Sequence, residues 1–166
     1  MDLKGKVAFI TGAASGIGKH IAEVYAAAGA AIAVADLNPK AAEAAAAELR
    51  ASGAKAIAIG VDVTDEAGVD AAVKTTVDKL GGLDILISNA GIQIVAPLQD
   101  FSFANWKKLL AVHLDGAFLT SRAAMRAMIA AGKGGSIIFM GSVHSKEASM
   151  LKAPYVTAKH GLEGLT

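Results

Sequence analysis

A three-layer α/β domain built on a doubly wound parallel sheet is the fold class this 166-residue chain predicts, and three observations carry the reading. Short apolar runs alternate with longer helical patterns along the whole length. Those runs are uniformly apolar rather than alternating, the mark of strands covered on both faces, as in a parallel sheet. The first run passes directly into a glycine-rich turn that opens a helix. Repeated strand–helix–strand units with right-handed crossovers then give helices on both sides of one sheet, in a single domain over 1–166.

The elements follow in order. KVAFITG (6–12), AIAVAD (31–36), AKAIAIGVD (54–62), LDILISNAG (83–91) and GSIIFMGS (135–142) read as strands. Helical stretches lie between them at 16–29, 39–52, 65–80 and 102–132. Asn38 before Pro39 reads as an N-cap with proline at the first helical position. Thr64 followed by Asp65 and Glu66 reads as another helix start. After Pro154 a further helix begins, and the sequence stops at Thr166 within it, so the expectation is an interrupted chain lacking later strands.

Composition sets outer limits. Hydrophobic residues are 54% and charged residues 19%, which describes a globular chain with a real core. A net charge of +1 supplies no long-range field for nucleic acid or an acidic membrane face. Cysteine is absent, which excludes disulfides and thiolate metal sites. MDLKGKVAFITG has neither the shape of a signal peptide nor the length of a membrane span. The expectation is a cytoplasmic protein that engages no nucleic acid, membrane or metal.

TGAASGIG (11–18) carries the first chemistry. Glycines at 12, 16 and 18 let the backbone turn sharply and come close to a ligand. The amides that open the helix face an anion, helped by the helix dipole. On a first strand–helix junction this reads as a Rossmann-like cradle for a dinucleotide pyrophosphate, with Gly12, Ser15, Gly16, Ile17 and Gly18 as its residues. The same letters also suit a plain tight turn. Asp36 ends the second strand, where a carboxylate accepts hydrogen bonds from ribose hydroxyls and repels a 2′-phosphate. Leu37 follows it and the turn holds no base before Lys19, so NAD is favoured over NADP; capping of Asn38–Pro39 is the other role open to Asp36. Asp62 and Val63 end the third strand and are assigned to the adenine. Asn89, Ala90 and Gly91 end the fourth and are assigned to the middle of the cofactor, although Asn-Ala-Gly also suits a turn.

GSVHSKEASMLKAPYVTAKHG (141–161) carries the second chemistry. Tyr155 and Lys159 are four apart at a helix start and share one face. An ammonium beside a phenol favours the phenolate that proton abstraction needs. Ser142 ends the fifth strand, within reach of the same substrate oxygen. His144 and Lys152, with Gln93 just past the fourth strand, put an imidazole, a cation and an amide beside the reacting carbon. That set suits a small substrate with a carboxylate. The alternative is that His144 and Lys152 decorate a mobile loop.

Taken together, TGAASGIG, Asn89-Ala90-Gly91, Ser142 and Tyr155-Val-Thr-Ala-Lys159 resemble the short-chain dehydrogenases/reductases over the whole chain. The resemblance implies hydride transfer between a nicotinamide and a secondary alcohol or ketone. It makes Tyr155 the general acid/base, has Lys159 activate it and hold the nicotinamide ribose, and has Ser142 position the substrate oxygen. In that family an asparagine in the long helix supports a proton-relaying water; here VHLDG places His113 there, and imidazole can relay protons or serve as a plain structural residue. AGIQ, GSVHSKEAS and LKAPYVTAKHG further resemble the bacterial D-3-hydroxybutyrate dehydrogenases, which implies that Gln93, His144 and Lys152 bind the substrate carboxylate. The family also implies a homotetramer packed through 102–132 and the Tyr155 helix. Two other readings stay open: a related enzyme for a sugar alcohol or 3-oxoacyl substrate, and an NAD-binding fragment without turnover.

Overall fold

The computed structural model describes residues 2–166. Five parallel strands form one sheet in the order β3-β2-β1-β4-β5: β1 (Val7–Thr11), β2 (Ala31–Asp36), β3 (Ala56–Gly60), β4 (Ile85–Ser88) and β5 (Ser136–Phe139). Among the described residues α1 (Gly16–Ala27), α2 (Pro39–Ala51), α3 (Glu66–Leu80), α4 (Phe103–Leu110) and α5 (Gly116–Ala130) connect the strands, and α6 (Ala153–Leu165) follows β5. Side chains alternate across each strand, so the apolar runs feed two cores at once. Phe9, Ala33 and Leu86 point into a core with Val69 and Ala72 of α3 and Leu119 and Ala123 of α5. Ile10, Ile32 and Val34 point the other way, onto Ala22 of α1 and Ala42, Ala45 and Leu49 of α2. The three-layer architecture expected from uniformly apolar strands is therefore present, and the alanine-rich α2 sits close against the sheet because its buried face is small.

The strand order reverses between β1 and β4. From β1 the chain winds outward through β2 and β3, then returns to lay β4 on the other side of β1 and β5 beyond it. The loops leaving β1 and β4 diverge there and open a crevice at the carboxyl ends of the strands, where ligands bind in this class of sheet.

Several element boundaries differ from those read in the sequence. The strand read over 54–62 is only Ala56–Gly60, because β2 offers partners from Ile32 to Asp36 alone, and the chain leaves the sheet after Val61 N–H meets the Asp36 carbonyl. The first helix stops at Ala27, before Gly29 turns to φ +94°. Thr64 is not the cap of α3: it is held by Asp62, and Asp65 takes the cap position. Asn38 does cap α2, its Oδ1 accepting the N–H groups of Lys40 and Ala41 at 3.1 Å each. The stretch read as one helix over 102–132 is α4 and α5 joined by a π-helical turn at Ala111–Asp115. Among the described residues no helix is long and apolar enough to cross a membrane.

Candidate active site

The glycine turn is built by its neighbours as much as by itself. Gly12 and Gly16 both have positive φ, +63° and +55°, which a Cβ would oppose. A Cβ on Gly18 would collide with the Gly12 carbonyl and with the Asn89 amide, so α1 begins in direct contact with the turn. Nothing lies within 4 Å of the position a Cβ would take on Gly16, which leaves bare backbone facing open space. Ser15 occupies the N-cap position of α1 without a side-chain cap bond, so the opening amides of the helix keep their donors free.

Thr11, which sequence reasoning did not single out, ties β1 to β4. Its fully buried hydroxyl accepts the N–H groups of Asn89 and Ala90 at 3.0 Å each. The Asn89 side chain donates back to the carbonyls of Thr11, at 2.9 Å, and Gly12, at 3.2 Å. The amide assigned to the middle of a cofactor thus holds the glycine turn in shape. In the sequence Thr11 opens the TGAASGIG turn at the end of the first apolar run, the signal by which it could have been found.

Asp36 takes the local capping role at Asn38 and also braces the glycine turn. One carboxylate oxygen accepts Ala14 N–H in the glycine turn at 3.1 Å, and the other accepts Asn38 N–H at 3.0 Å. Each oxygen keeps a lone pair for another donor. A cavity of about 400 Å³ opens beside it, lined among others by Ser15, Ile17, Asp36, Asp62 and Val63, with Asn89, Ala90 and Gly91 on its far wall. Val112, from the π turn, also lines it and was not anticipated. Asp62 Oδ1 is occupied by Thr64 N–H and hydroxyl, at 2.9 and 2.8 Å. A larger hollow of about 540 Å³ lies between α1 and α2, bridged by the Lys19–Glu48 ion pair, and contains none of the residues with chemistry.

The second group converges on Tyr155. Lys159 Nζ stands 5.5 Å from the centroid of the Tyr155 ring, so the pair expected on one helical face is together. The His113 and His144 rings meet Tyr155 edge-on, at centroid distances of 5.4 and 5.9 Å. Lys159 is only 4% exposed, and its ammonium donates to the Met140 carbonyl at the end of β5. Burial pushes its pKa below the ordinary lysine value. His113 is equally buried and packs on Gly91, and its Nε2 faces both the Ile92 N–H (3.1 Å) and the Ile92 carbonyl (2.8 Å). Its pKa is also lowered, by burial first and by the charge of Lys159 besides, with the Ile92 bond opposing.

Ser142 caps a short 3-10 turn at Val143–Ser145, its Oγ accepting His144 N–H while its own N–H donates to Ser145 Oγ. The Ser142 hydroxyl proton remains available. His144 Nδ1 is buried and has no hydrogen-bond partner. Lys152 is half-buried at the N-cap of α6. Gln93 is exposed in the loop after β4, and its side chain touches no hydrogen-bond partner in the fold.

With that geometry established, the family model for the short chain dehydrogenases matches residues 6–166. The chain belongs to this family. It is 41% identical over 166 residues to a sorbitol dehydrogenase of Cereibacter sphaeroides, covering all of this chain and 64% of the relative. It is 40% identical over 167 residues to a D-beta-hydroxybutyrate dehydrogenase of Cupriavidus necator, covering 99% of this chain and 63% of that one. Among solved structures it superposes on a 7 alpha-hydroxysteroid dehydrogenase complexed with NADH and 7-oxo glycochenodeoxycholic acid, with TM-score 0.93 and 33% identity over 99% of this chain and 64% of that one. The chain thus spans somewhat under two thirds of the length of those relatives.

Proposed function

We propose that this short-chain dehydrogenase binds NAD along the carboxyl ends of β1, β2 and β4 and oxidises (R)-3-hydroxybutyrate to acetoacetate. The residues fit the cofactor: bare backbone at Gly16 and free amides at the start of α1 suit a pyrophosphate, and the open lone pairs of Asp36 suit ribose hydroxyls. Asp36 also argues for NAD over NADP, because its negative charge opposes a 2′-phosphate and Leu37 offers no counter-charge. Asp62 and Val63 close the adenine end of the cavity. Bound NAD supplies the hydride acceptor.

Tyr155 takes the proton of the substrate hydroxyl as the carbon–oxygen bond becomes a carbonyl. The Ser142 hydroxyl donates to the same oxygen and orients it. Lys159 places positive charge beside the phenol ring, where it stabilises the developing phenolate, and holds the nicotinamide ribose. His113, edge-on to Tyr155, is the group next in line to hand the proton toward solvent.

The observation that carries the substrate class is the His144 ring, set edge-on to Tyr155 at a centroid distance of 5.9 Å. A carboxylate beside Tyr155 accepts from that imidazole, with Lys152 supplying the opposing charge and Gln93 a neutral donor. Steady-state kinetics test this: Lys152→Ala should raise KM for 3-hydroxybutyrate by about ten- to a hundredfold, as expected for one lost charged hydrogen bond, with KM for NAD unchanged. Equal KM values for wild type and variant would remove the carboxylate assignment. A polyol is the second reading, favoured by 41% identity to a sorbitol dehydrogenase. Turnover of sorbitol in preference to hydroxybutyrate would select it.

A further inference from the structure

Among the described residues, Leu151 is the one residue other than glycine with a positive φ, +63°. Leucine enters the left-handed region reluctantly, because its Cβ crowds the following carbonyl oxygen. Burial does not hold it there: the side chain is 46% exposed and the preceding Met150 is 87% exposed. Backbone bonds do. The Leu151 carbonyl accepts Ala96 N–H at 3.2 Å, the one backbone hydrogen bond among the described residues that joins the loop after β4 to the loop before α6. The next carbonyl, that of Lys152, accepts Val156 N–H at 2.9 Å and starts α6, whose first turn is pinned by the fully buried Pro154.

The two loops carry the groups assigned above to the substrate carboxylate. The loop after β4 is anchored twice, at Ile92 by His113 and at Ala96 by Leu151, and Gln93 lies between the anchors. Lys152 follows Leu151 directly. An unstrained, extended residue at 151 would direct its carbonyl elsewhere and release Ala96. Strain retained at one position, beside a site and without side-chain burial to account for it, points to a positional role.

We propose that Leu151 is a positioning residue: its left-handed backbone ties the Gln93 loop to the Lys152 turn and sets the spacing of those two side chains. The substrate consequence rests on the carboxylate reading above; the tether itself does not.

The test separates conformation from side chain. Leu151→Ile keeps every atom type and the volume but adds a branch at Cβ that disfavours the left-handed region further. Leu151→Asn discards the apolar side chain and tolerates that region. Amide hydrogen exchange at Ala96 should be roughly tenfold faster in the isoleucine variant and near wild type in the asparagine variant. KM for 3-hydroxybutyrate should rise with the isoleucine variant and stay near wild type with asparagine, with kcat and KM for NAD little changed in either.

Unchanged Ala96 protection in Leu151→Ile overturns the proposal, and so does equal loosening by both substitutions, which would make the side chain the cause. Should Leu151→Ile fail to fold, Leu151→Gly decides: Ala96 still protected supports the tether, and lost protection overturns it. If the exchange pattern holds while the wild type does not turn over hydroxybutyrate, the tether stands and the substrate reading falls. If wild type turns it over and the isoleucine variant keeps its KM, positioning of the substrate groups is overturned while the substrate reading survives.

Discussion

His113 illustrates how one substitution of residue type changes what a position can do. A single ring nitrogen faces both the N–H and the C=O of Ile92, yet one tautomer can accept from the first or donate to the second, never both. Asparagine, with an oxygen and an NH2, can satisfy the two together. The imidazole also titrates. Its pKa is lowered from 6.5 by burial, so below 6.5 the unfolded chain gains a proton that the folded chain refuses. The stability that neutral His113 contributes is therefore complete above 6.5 and is lost as pH falls from 6.5 toward the lowered value. Urea unfolding from pH 5 to 8 should show this slope in wild type and a flatter one in His113→Asn. An identical slope in both would assign the acid sensitivity to other groups.

At the scale of elements, the start of α1 packs directly on the end of β1. Gly18 sits against the Gly12 carbonyl and the Asn89 amide, which are themselves stitched to Thr11. A methyl group there cannot be taken up by a flexible side chain; backbone must move. Gly18→Ala should cost about 1–3 kcal/mol, as overpacking does, and should weaken NAD binding more than tenfold by displacing the opening amides of α1. Calorimetry measures both, and unchanged NAD affinity would show that the turn does not cradle the cofactor. The π turn between α4 and α5 belongs to the same scale. Extra residues in a helix turn adjacent side chains to new directions, and this one delivers His113 to Tyr155 while Val112 faces the cavity.

For the molecule as a whole, the buried lysine sets function against stability. Lys159 is reached by the end of β5 through Met140 and lies beside Tyr155 of α6, and nearby His113 feels its charge. Between its lowered pKa and the ordinary 10.5, the unfolded chain holds a proton that the folded chain has released, so stability climbs with pH through that window. At neutral pH the buried ammonium is a cost. Lys159→Met should then raise the melting temperature at pH 7 while abolishing turnover, the trade expected of a strained active site. A lower melting temperature would mean that the bond to Met140 outweighs the desolvation.

Local pattern makes much of this legible in the sequence. Uniformly apolar runs report burial on both faces, which predicts a parallel sheet, and a spacing of four places Tyr155 beside Lys159 on any helix. Asn38 and Pro39 mark a helix start by their own chemistry. The glycine turn and Asp36 likewise follow from their place at strand ends. The knot of Thr11 and Asn89, the seat of His113 against Ile92, the break in the long helix and the reversed backbone of Leu151 do not follow. Thr11 with Asn89, His113 with Ile92 and Leu151 with Ala96 are pairs that tens of residues separate and that only the packing of the loops after β1, β4 and β5 brings within hydrogen-bond reach. Periodicity records which face a residue buries; which distant atom it meets there depends on strand order and on where each strand stops.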